Sequence, residues 1–292
     1  MSLIPFDDRD GYLWMDGDII PWRDAKIHVL THGLHYASCV FEGERAYGGK
    51  VFKLHEHSQR LLKSAELLGF TIPYAREEIE KATLKILAKQ NIKDGYIRPV
   101  AWRGSEMMAV SAQKTRIHVA IACWEWPSYF SQEARARGLR LHLSKWVRPA
   151  PNMAPTASKA AGLYMICTLS KHAAEDAGFD DALMLDYRGL IAEATGANMF
   201  FVLGGALHTP TPDCFLDGIT RRTVMELAKE RGIEVVERHI GPEELENVTE
   251  VFLAGTAAEV TPVSQIGERS FNVGRLTQTL MEAYGARVTQ PD

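Results

Sequence analysis

Pro149, Pro151 and Pro155, in the stretch PAPNMAP, divide this chain. Proline fixes φ and lacks the amide N–H, so neither a helix nor a central strand runs through such a stretch. Regular elements must stop before it or start after it. The reading that follows is two domains, residues 1–148 and 156–292, joined by a linker at 149–155. With 292 residues and 46% hydrophobic side chains, the chain has enough apolar material for two cores.

Ahead of the prolines, GYLWMDGDIIPWRDAKIHVL alternates apolar and polar residues about Asp16-Gly17, which predicts a hairpin and a following strand up to Leu30. CVFEGERAY and KVFKL flank Gly48-Gly49 as short strands. Leu61, Leu62, Ala65 and Leu68 recur at helical spacing, so a helix is predicted from about His57 to a stop at Gly69. A second amphipathic helix spans about Arg76 to Gln90. YIRPVAWRG, TRIHVAIACWEW and GLRLHLSKWVR read as three more strands, giving an α+β first domain. Beyond the prolines, a helix from Gly162 to about Gly178 precedes hairpins at Arg188-Gly189 and Gly204-Gly205. GITRRTVMELAKERG is a helix, IEVVERHI a strand, EVFLAGTAAEVTPVSQIG a strand and a turn, and a last helix follows.

Lys159 lies among Ala157, Ser158, Ala160, Ala161 and Gly162, so a flat ring meets little bulk there. To attack a carbonyl its amine must be unprotonated, which burial and neighbouring cations favour. The competing reading is an ordinary exposed lysine at a helix start. Tyr164 follows a short turn later. Glu193, in LIAEATGANMFFV, has apolar flanks and is preferred to Asp186 because Gly196 and Asn198 follow as if a backbone passed close to a ligand. An amine for a Schiff base, a phenol facing a phenolate oxygen and a carboxylate on a pyridine nitrogen are what pyridoxal phosphate takes from a protein.

A phosphate calls for backbone amides and a cation. DGITRRT sets Gly218, Ile219 and Thr220 at a helix start, where unpaired amides and the dipole favour an anion; a plain helix cap is the equal alternative. AGTAAE offers a second amide nest with the Thr256 hydroxyl. Arg60 is a candidate cation, against its reading as a solvated helix face.

A net charge of -4 and no basic block give no reason to bind nucleic acid or an anionic membrane, and small-molecule chemistry is favoured. MSLIPFDDRDG has acids where a signal peptide needs bases, and no segment approaches a membrane span, so cytoplasmic residence is expected. Cys39, Cys123, Cys167 and Cys214 are scattered and read as reduced core thiols. The pairs His32 and His35, and His55 and His57, lack the spacing and companions of a metal site, so none is expected. Serine-hydrolase, Rossmann and P-loop signatures are absent.

In order along the chain, HGLHYASCVFEGERAY, HEHSQRL, YIRP, APNMAPTASKAAGLY, EATGANMFFV, GITR and FLAGTAAEVTPV resemble the class IV, or fold-type IV, pyridoxal-phosphate enzymes. Within them the likeness is to the branched-chain amino acid aminotransferases. The resemblance implies a small, sandwich-like α/β domain joined to a larger pseudo-barrel domain with flanking helices, the cofactor between them, and a homodimer or a higher homo-oligomer such as a hexamer. It makes Lys159 the Schiff-base lysine, Tyr164 the partner of the phenolate oxygen and Glu193 that of the pyridine nitrogen, with Gly196 beside the cofactor. Arg60, Ile219, Thr220 and Thr256 become the phosphate clamp. Thr256, Ala257 and Tyr96 would hold the substrate carboxylate. Phe41, Trp126, Tyr129 and Tyr164 would wall an apolar pocket, Tyr36 reaching it from a neighbouring subunit, and Arg98 would receive the second carboxylate of glutamate. The implied reaction moves an amino group from leucine, isoleucine or valine to 2-oxoglutarate in two half-reactions. A D-amino acid aminotransferase, an amine transaminase, an aminodeoxychorismate lyase and a non-catalytic binding protein are the alternatives. The sequence departs from many members in GLY before the tyrosine, in a short GSEMMAVSAQKTR loop and in Met107-Met108 within it.

Overall fold

The structure is a computed structural model and describes residues 4–126 and 130–290. Its contacts divide the described residues into two compact units, 4–126 with Ser158–Gly162, and 130–157 with 163–290.

The first unit is built on one antiparallel sheet. Its strands are β1 (Tyr12–Met15), β2 (Asp18–Pro21), β3 (Cys39–Phe41), β4 (Glu44–Tyr47), β5 (Lys50–Val51), β6 (Gly95–Arg103) and β7 (Ile117–Glu125). They run in the order β2-β1-β7-β6-β4-β5, with β3 also on β6. β3 pairs as far as Phe41 with Val100, and β4 resumes at Glu44 with Ile97. The break between them falls opposite Pro99, which has no N–H to donate. There the Glu42 amide donates to the Pro99 carbonyl at 2.8 Å. Helix α1 (His32–Tyr36) precedes the sheet's third strand, and α2 (Leu54–Leu67) and α3 (Arg76–Lys89) pack on the sheet through Leu61, Ala65, Ile79 and Ile86, all fully buried. Both helices stand where their periodicity predicts them.

No strand follows the first hairpin. Residues 25–31 turn on local bonds, Lys26 to the Asp24 carbonyl and Thr31 to that of His28, and leave Ile27, Val29 and Leu30 exposed. Alternation is a pattern that a strand needs, but without a partner ladder it does not make one. Residues 158–162 return to this unit, where Ala160 bridges Val40 and the Phe41 amide donates to the Lys159 carbonyl at 3.2 Å.

The second unit contains α4 (Gln132–Arg137), β8 (Leu139–Leu143), α5 (Met165–Asp176), β9 (Asp181–Leu185), β10 (Ile191–Ala194), β11 (Asn198–Leu203), β12 (Ala206–Pro210), α6 (Ile219–Glu230), β13 (Val235–Arg238), β14 (Glu250–Gly255), β15 (Glu259–Ile266), β16 (Arg269–Ser270) and α7 (Arg275–Thr289). The order β10-β9-β8-β15-β14-β11, with β11 pairing back to β10, closes six strands into a barrel; β12 and β13 extend it and β16 adds to β15. Alternate residues fill one face: Leu139 and Leu141, Met199 and Phe201, and Val251 and Leu253 share a single core. Phe200 and Phe252, opposite each other on β11 and β14, stack at 4.9 Å on the other face. Gly204 and Gly205 supply the φ of 59° and 84° that the β11–β12 turn requires.

GLRLHLSKWVR reads in the sequence as a strand of the opening domain. As β8 it instead pairs parallel with β9 and β15. Its alternation specifies a half-buried strand without specifying the sheet, and parallel neighbours are made only by long crossovers that leave no local trace. The α+β class, with a barrel in the second unit, agrees with the expectation.

Candidate active site

In the first unit, Lys159 is pinned by its main chain. Its amide donates to Ser64 Oγ at 3.0 Å, and the Ser158 hydroxyl donates to the Ser64 carbonyl at 2.9 Å, so α2 fixes where the lysine starts. Its Nζ sits 5.0 Å from the centre of the Phe41 ring. Burial, then the Arg60 guanidinium, push the amine down to about 8, against the pull of Glu42 and Tyr96 and with help from Arg98. The helix-start reading of an exposed lysine therefore does not hold. Near pH 8 about half of such amines are unprotonated and nucleophilic.

Behind the lysine lies a buried carboxylate that the sequence reading passes over. Glu42 Oε1 accepts from Arg60 Nε at 2.6 Å, and Oε2 accepts from Arg60 Nη2 at 2.9 Å and from His57 Nδ1 at 2.7 Å. Burial opposes its charge, but Arg60 and His57 overcome this and hold Glu42 far below the usual carboxylate range. His57 is pushed down by burial, which outweighs Glu42. A neutral ring facing an acceptor carries its proton on Nδ1. The available signal is an acid inside the apolar run CVFEGERAY.

On the same unit Arg98 lies over Phe41 and Tyr96, 4.7 and 5.3 Å from their ring centres, and donates to Tyr96 Oη at 3.3 Å. A Cβ at Gly43 would overlap that hydroxyl, so glycine is what lets Tyr96 stand there. The Trp126 ring meets Tyr96 edge-on at 4.8 Å. Tyr36 stacks on His32 at 4.5 Å and is half-exposed. Tyr129 lies outside the described residues.

In the second unit, Glu193 stands on β10 opposite Asn198 of β11 and is buried. Arg148 Nε is 3.3 Å from its Oε1. Asn198 Nδ2 donates to the Leu216 carbonyl at 2.9 Å and more weakly to Glu193 Oε2 at 3.5 Å. Asn198 also pairs with Ala254, which sets the turn bearing Thr256 and Ala257 beside it. Asp186, the competing acid, accepts from Arg188 at 2.9 and 2.6 Å and from the amides of Arg188 and Leu190, so it closes its own turn. Tyr164 ends a short 3-10 turn at the start of α5. Ile219 and Thr220 open α6 behind Gly218, with no side-chain cap. First-turn amides have no acceptor within their own helix. At Gly218 a Cβ would overlap Asn198 Oδ1, whereas at Gly196 it would meet open space.

Each unit, taken by itself, carries groups of the kinds that pyridoxal phosphate takes from a protein. In the first, the lysine amine is desolvated and lowered; in the second, the acid is buried with a cation at its back, and an uncapped helix start follows a glycine whose added Cβ would overlap Asn198 Oδ1. The family model for class IV amino-transferases matches residues 39–266. The chain belongs to that family. A probable branched-chain-amino-acid aminotransferase of Rickettsia bellii is 47% identical over 94% of this chain and 95% of its own. The branched-chain-amino-acid aminotransferase of Pseudomonas aeruginosa is 41% identical over 95% and 92%. Among solved structures, the branched-chain amino acid aminotransferase of Escherichia coli superposes with a TM-score of 0.93 at 37% identity, covering 96% of this chain and 95% of that one. In this class IV aminotransferase, the functional candidates that sequence reasoning misses are Glu42, His57 and Arg148. In the sequence Arg148 stands only as the residue before the prolines.

Proposed function

We propose that this chain is a branched-chain-amino-acid aminotransferase, carrying the amino group of leucine, isoleucine or valine to 2-oxoglutarate with pyridoxal 5'-phosphate as cofactor. The observation that carries the reading is the Lys159 amine, lowered to about 8 by desolvation and by Arg60, in a chain that is similar over most of its length to enzymes of that name. When bound, the cofactor supplies an aldehyde that takes the amino group and a ring that accepts electrons from the substrate α-carbon.

Lys159 holds the cofactor and then moves the α-proton with its freed amine. Tyr164 donates to the phenolate oxygen, and Glu193, beside Gly196, keeps the ring nitrogen protonated. Arg60, Ile219, Thr220 and Thr256 take the phosphate; Glu42 aims Arg60 by its two bonds. Tyr96, Thr256 and Ala257 orient the substrate carboxylate. Phe41, Trp126, Tyr129 and Tyr164 exclude water from an aliphatic side chain, and Arg98, held over Phe41, receives the second carboxylate of glutamate. A second copy contributes Tyr36. In support, Ile27, Val29, Leu30, Leu34, Met108 and Val110 of the first unit are exposed, apolar side chains of the kind that a partner's surface would cover. His32 joins the two segments that carry them by a bond to the Ala109 carbonyl at 2.9 Å. A homodimer or a higher oligomer such as a hexamer is part of the proposal. No helix among the described residues is long and apolar enough to cross a membrane, and the four cysteines are free thiols, as a cytoplasmic enzyme's would be.

The test is a panel of L-amino acids, D-amino acids and chiral amines assayed with 2-oxoglutarate. Turnover of L-leucine, L-isoleucine and L-valine is expected, and activity confined to D-amino acids would overturn the proposal.

A further inference from the structure

Arg148 is 3% exposed and touches three separate segments of the second unit. Its amide donates to the Leu185 carbonyl at 2.8 Å, and its backbone forms an isolated bridge with Asp186, which ties it to the end of β9. Nη1 donates to the Leu163 carbonyl at 3.3 Å and approaches Cys167 Sγ at 3.5 Å, which ties it to the turn before Tyr164 and to α5. Nε is 3.3 Å from Glu193 Oε1 on β10, close enough for an ion pair but without hydrogen-bond geometry. The following Pro149 confines Arg148 to extended backbone, so the side chain leaves from a fixed base.

We propose that Arg148 is a positioning residue of the cofactor site, whose guanidinium holds Glu193 ionised against the ring nitrogen and places the same charge behind Tyr164. The proposal rests on the assignment of Glu193 and Tyr164 given above.

A carboxylate buried as Glu193 is carries a large desolvation cost unless a cation compensates it, and removing one partner of such a pair leaves the other charge stranded. With the cofactor bound, a proton at the ring nitrogen would be shared between that nitrogen and the carboxylate. A guanidinium 3.3 Å from that carboxylate would lower its hold on the proton and so leave it on the ring. Burial disfavours the charge of Arg148, but Glu193 first, then Cys167 and Tyr164, raise it above its ordinary value, so it remains a cation throughout the working range. The groups assigned to the ring nitrogen and to the phenolate oxygen therefore share one fixed charge. A lysine could not span Leu163, Cys167 and Glu193 at once, because it lacks the planar fork.

The test uses the holoenzyme with R148M, R148K and R148Q, each alone and on an E193Q background. The readouts are the pH midpoint of the visible absorbance of the lysine-bound cofactor, the cofactor dissociation constant, kcat and KM, with the thermal midpoint as a check on folding. For R148M we expect the absorbance midpoint to move up by about one unit. Its kcat should fall by roughly tenfold or more, with KM changed by less than about threefold. R148K, which keeps the charge, should leave the midpoint near that of the wild type. On the E193Q background R148M should cost less than about twofold further. An unmoved midpoint in R148M, or losses that multiply in full on E193Q, would overturn the proposal. If R148M does not fold, R148Q decides by the same midpoint. If the wild-type protein shows no visible band with pyridoxal phosphate, the functional reading itself fails.

Discussion

Arg60 and Glu42 meet through two charge-assisted hydrogen bonds, Nε to Oε1 at 2.6 Å and Nη2 to Oε2 at 2.9 Å, on a carboxylate with no exposure to solvent. The pair joins α2 to the break between β3 and β4, and His57 completes it from one turn earlier in the helix. Replacing Glu42 by glutamine keeps the shape and removes the charge, which strands the guanidinium. Loss of one member of a buried pair costs about 3–5 kcal/mol. E42Q should therefore lower the denaturant midpoint substantially in the apoprotein, and weaken cofactor binding because Arg60 is no longer aimed. A midpoint equal to the wild type's would show that Arg60 is held by something else.

Two residues on, Glu44 has the opposite condition. It is fully buried, and neither carboxyl oxygen has a hydrogen-bond partner among the described residues. Burial first, then the charge of Glu42, push its pKa well above 4.5, against Arg60. The folded state then binds a proton that the unfolded state has released, so stability falls as pH rises from the ordinary glutamate value towards the raised one. E44Q cannot ionise and should escape that loss. Thermal midpoints of the two proteins, measured from about pH 5 to 9, should diverge in favour of E44Q; parallel curves would mean that Glu44 is already charged.

Lys159 sets a second pH dependence. With its amine lowered to about 8 by burial and by Arg60, the nucleophilic fraction rises through that value. The rate at which apoprotein takes up pyridoxal phosphate, followed by absorbance, should climb with a midpoint near pH 8, and E42Q should move the midpoint down, since Glu42 is what raises it. Lys159→Ala should abolish turnover while leaving the fold intact, and robust transamination by that variant would remove the lysine from its role.

Much of this is legible in the chain. Leu61, Ala65, Ile79 and Ile86 sit on the buried faces of α2 and α3, where a period of 3.6 puts them. The small residues about Lys159 and the glycine at the head of α6 mark, in the sequence, the segments that the proposed site uses. What the sequence hides are the partners. Glu42 and Arg60 are 18 positions apart, and Arg148 and Glu193 lie 45 apart (193 − 148), so nothing local marks either pair. The sheet that β8 joins is hidden for the same reason, because strand pattern is local and strand partnership is not. Residues 25–31 fail in the other direction: they have the pattern and find no ladder.

Gly218 offers the sharpest test of the phosphate end. It precedes α6, and a Cβ there would overlap Oδ1 of Asn198. Asn198 in turn donates to the Leu216 carbonyl at 2.9 Å and reaches Glu193 at 3.5 Å. A methyl group must therefore displace either the helix start or the asparagine, and with it the acid. The backbone of Gly218 is no obstacle, since its φ of -65° suits alanine. Any effect of Gly218→Ala is thus steric rather than conformational, and overpacking of this kind costs about 1–3 kcal/mol. Cofactor affinity should fall by roughly tenfold, whereas inorganic phosphate and pyridoxal without its phosphate separate the two routes. If the helix start moves, the variant loses affinity for the phosphate and keeps it for pyridoxal. If Asn198 moves, pyridoxal binding weakens as well. Unchanged affinity for all three would mean that the space about Gly218 can relax, and that this helix start does not set the depth of the site.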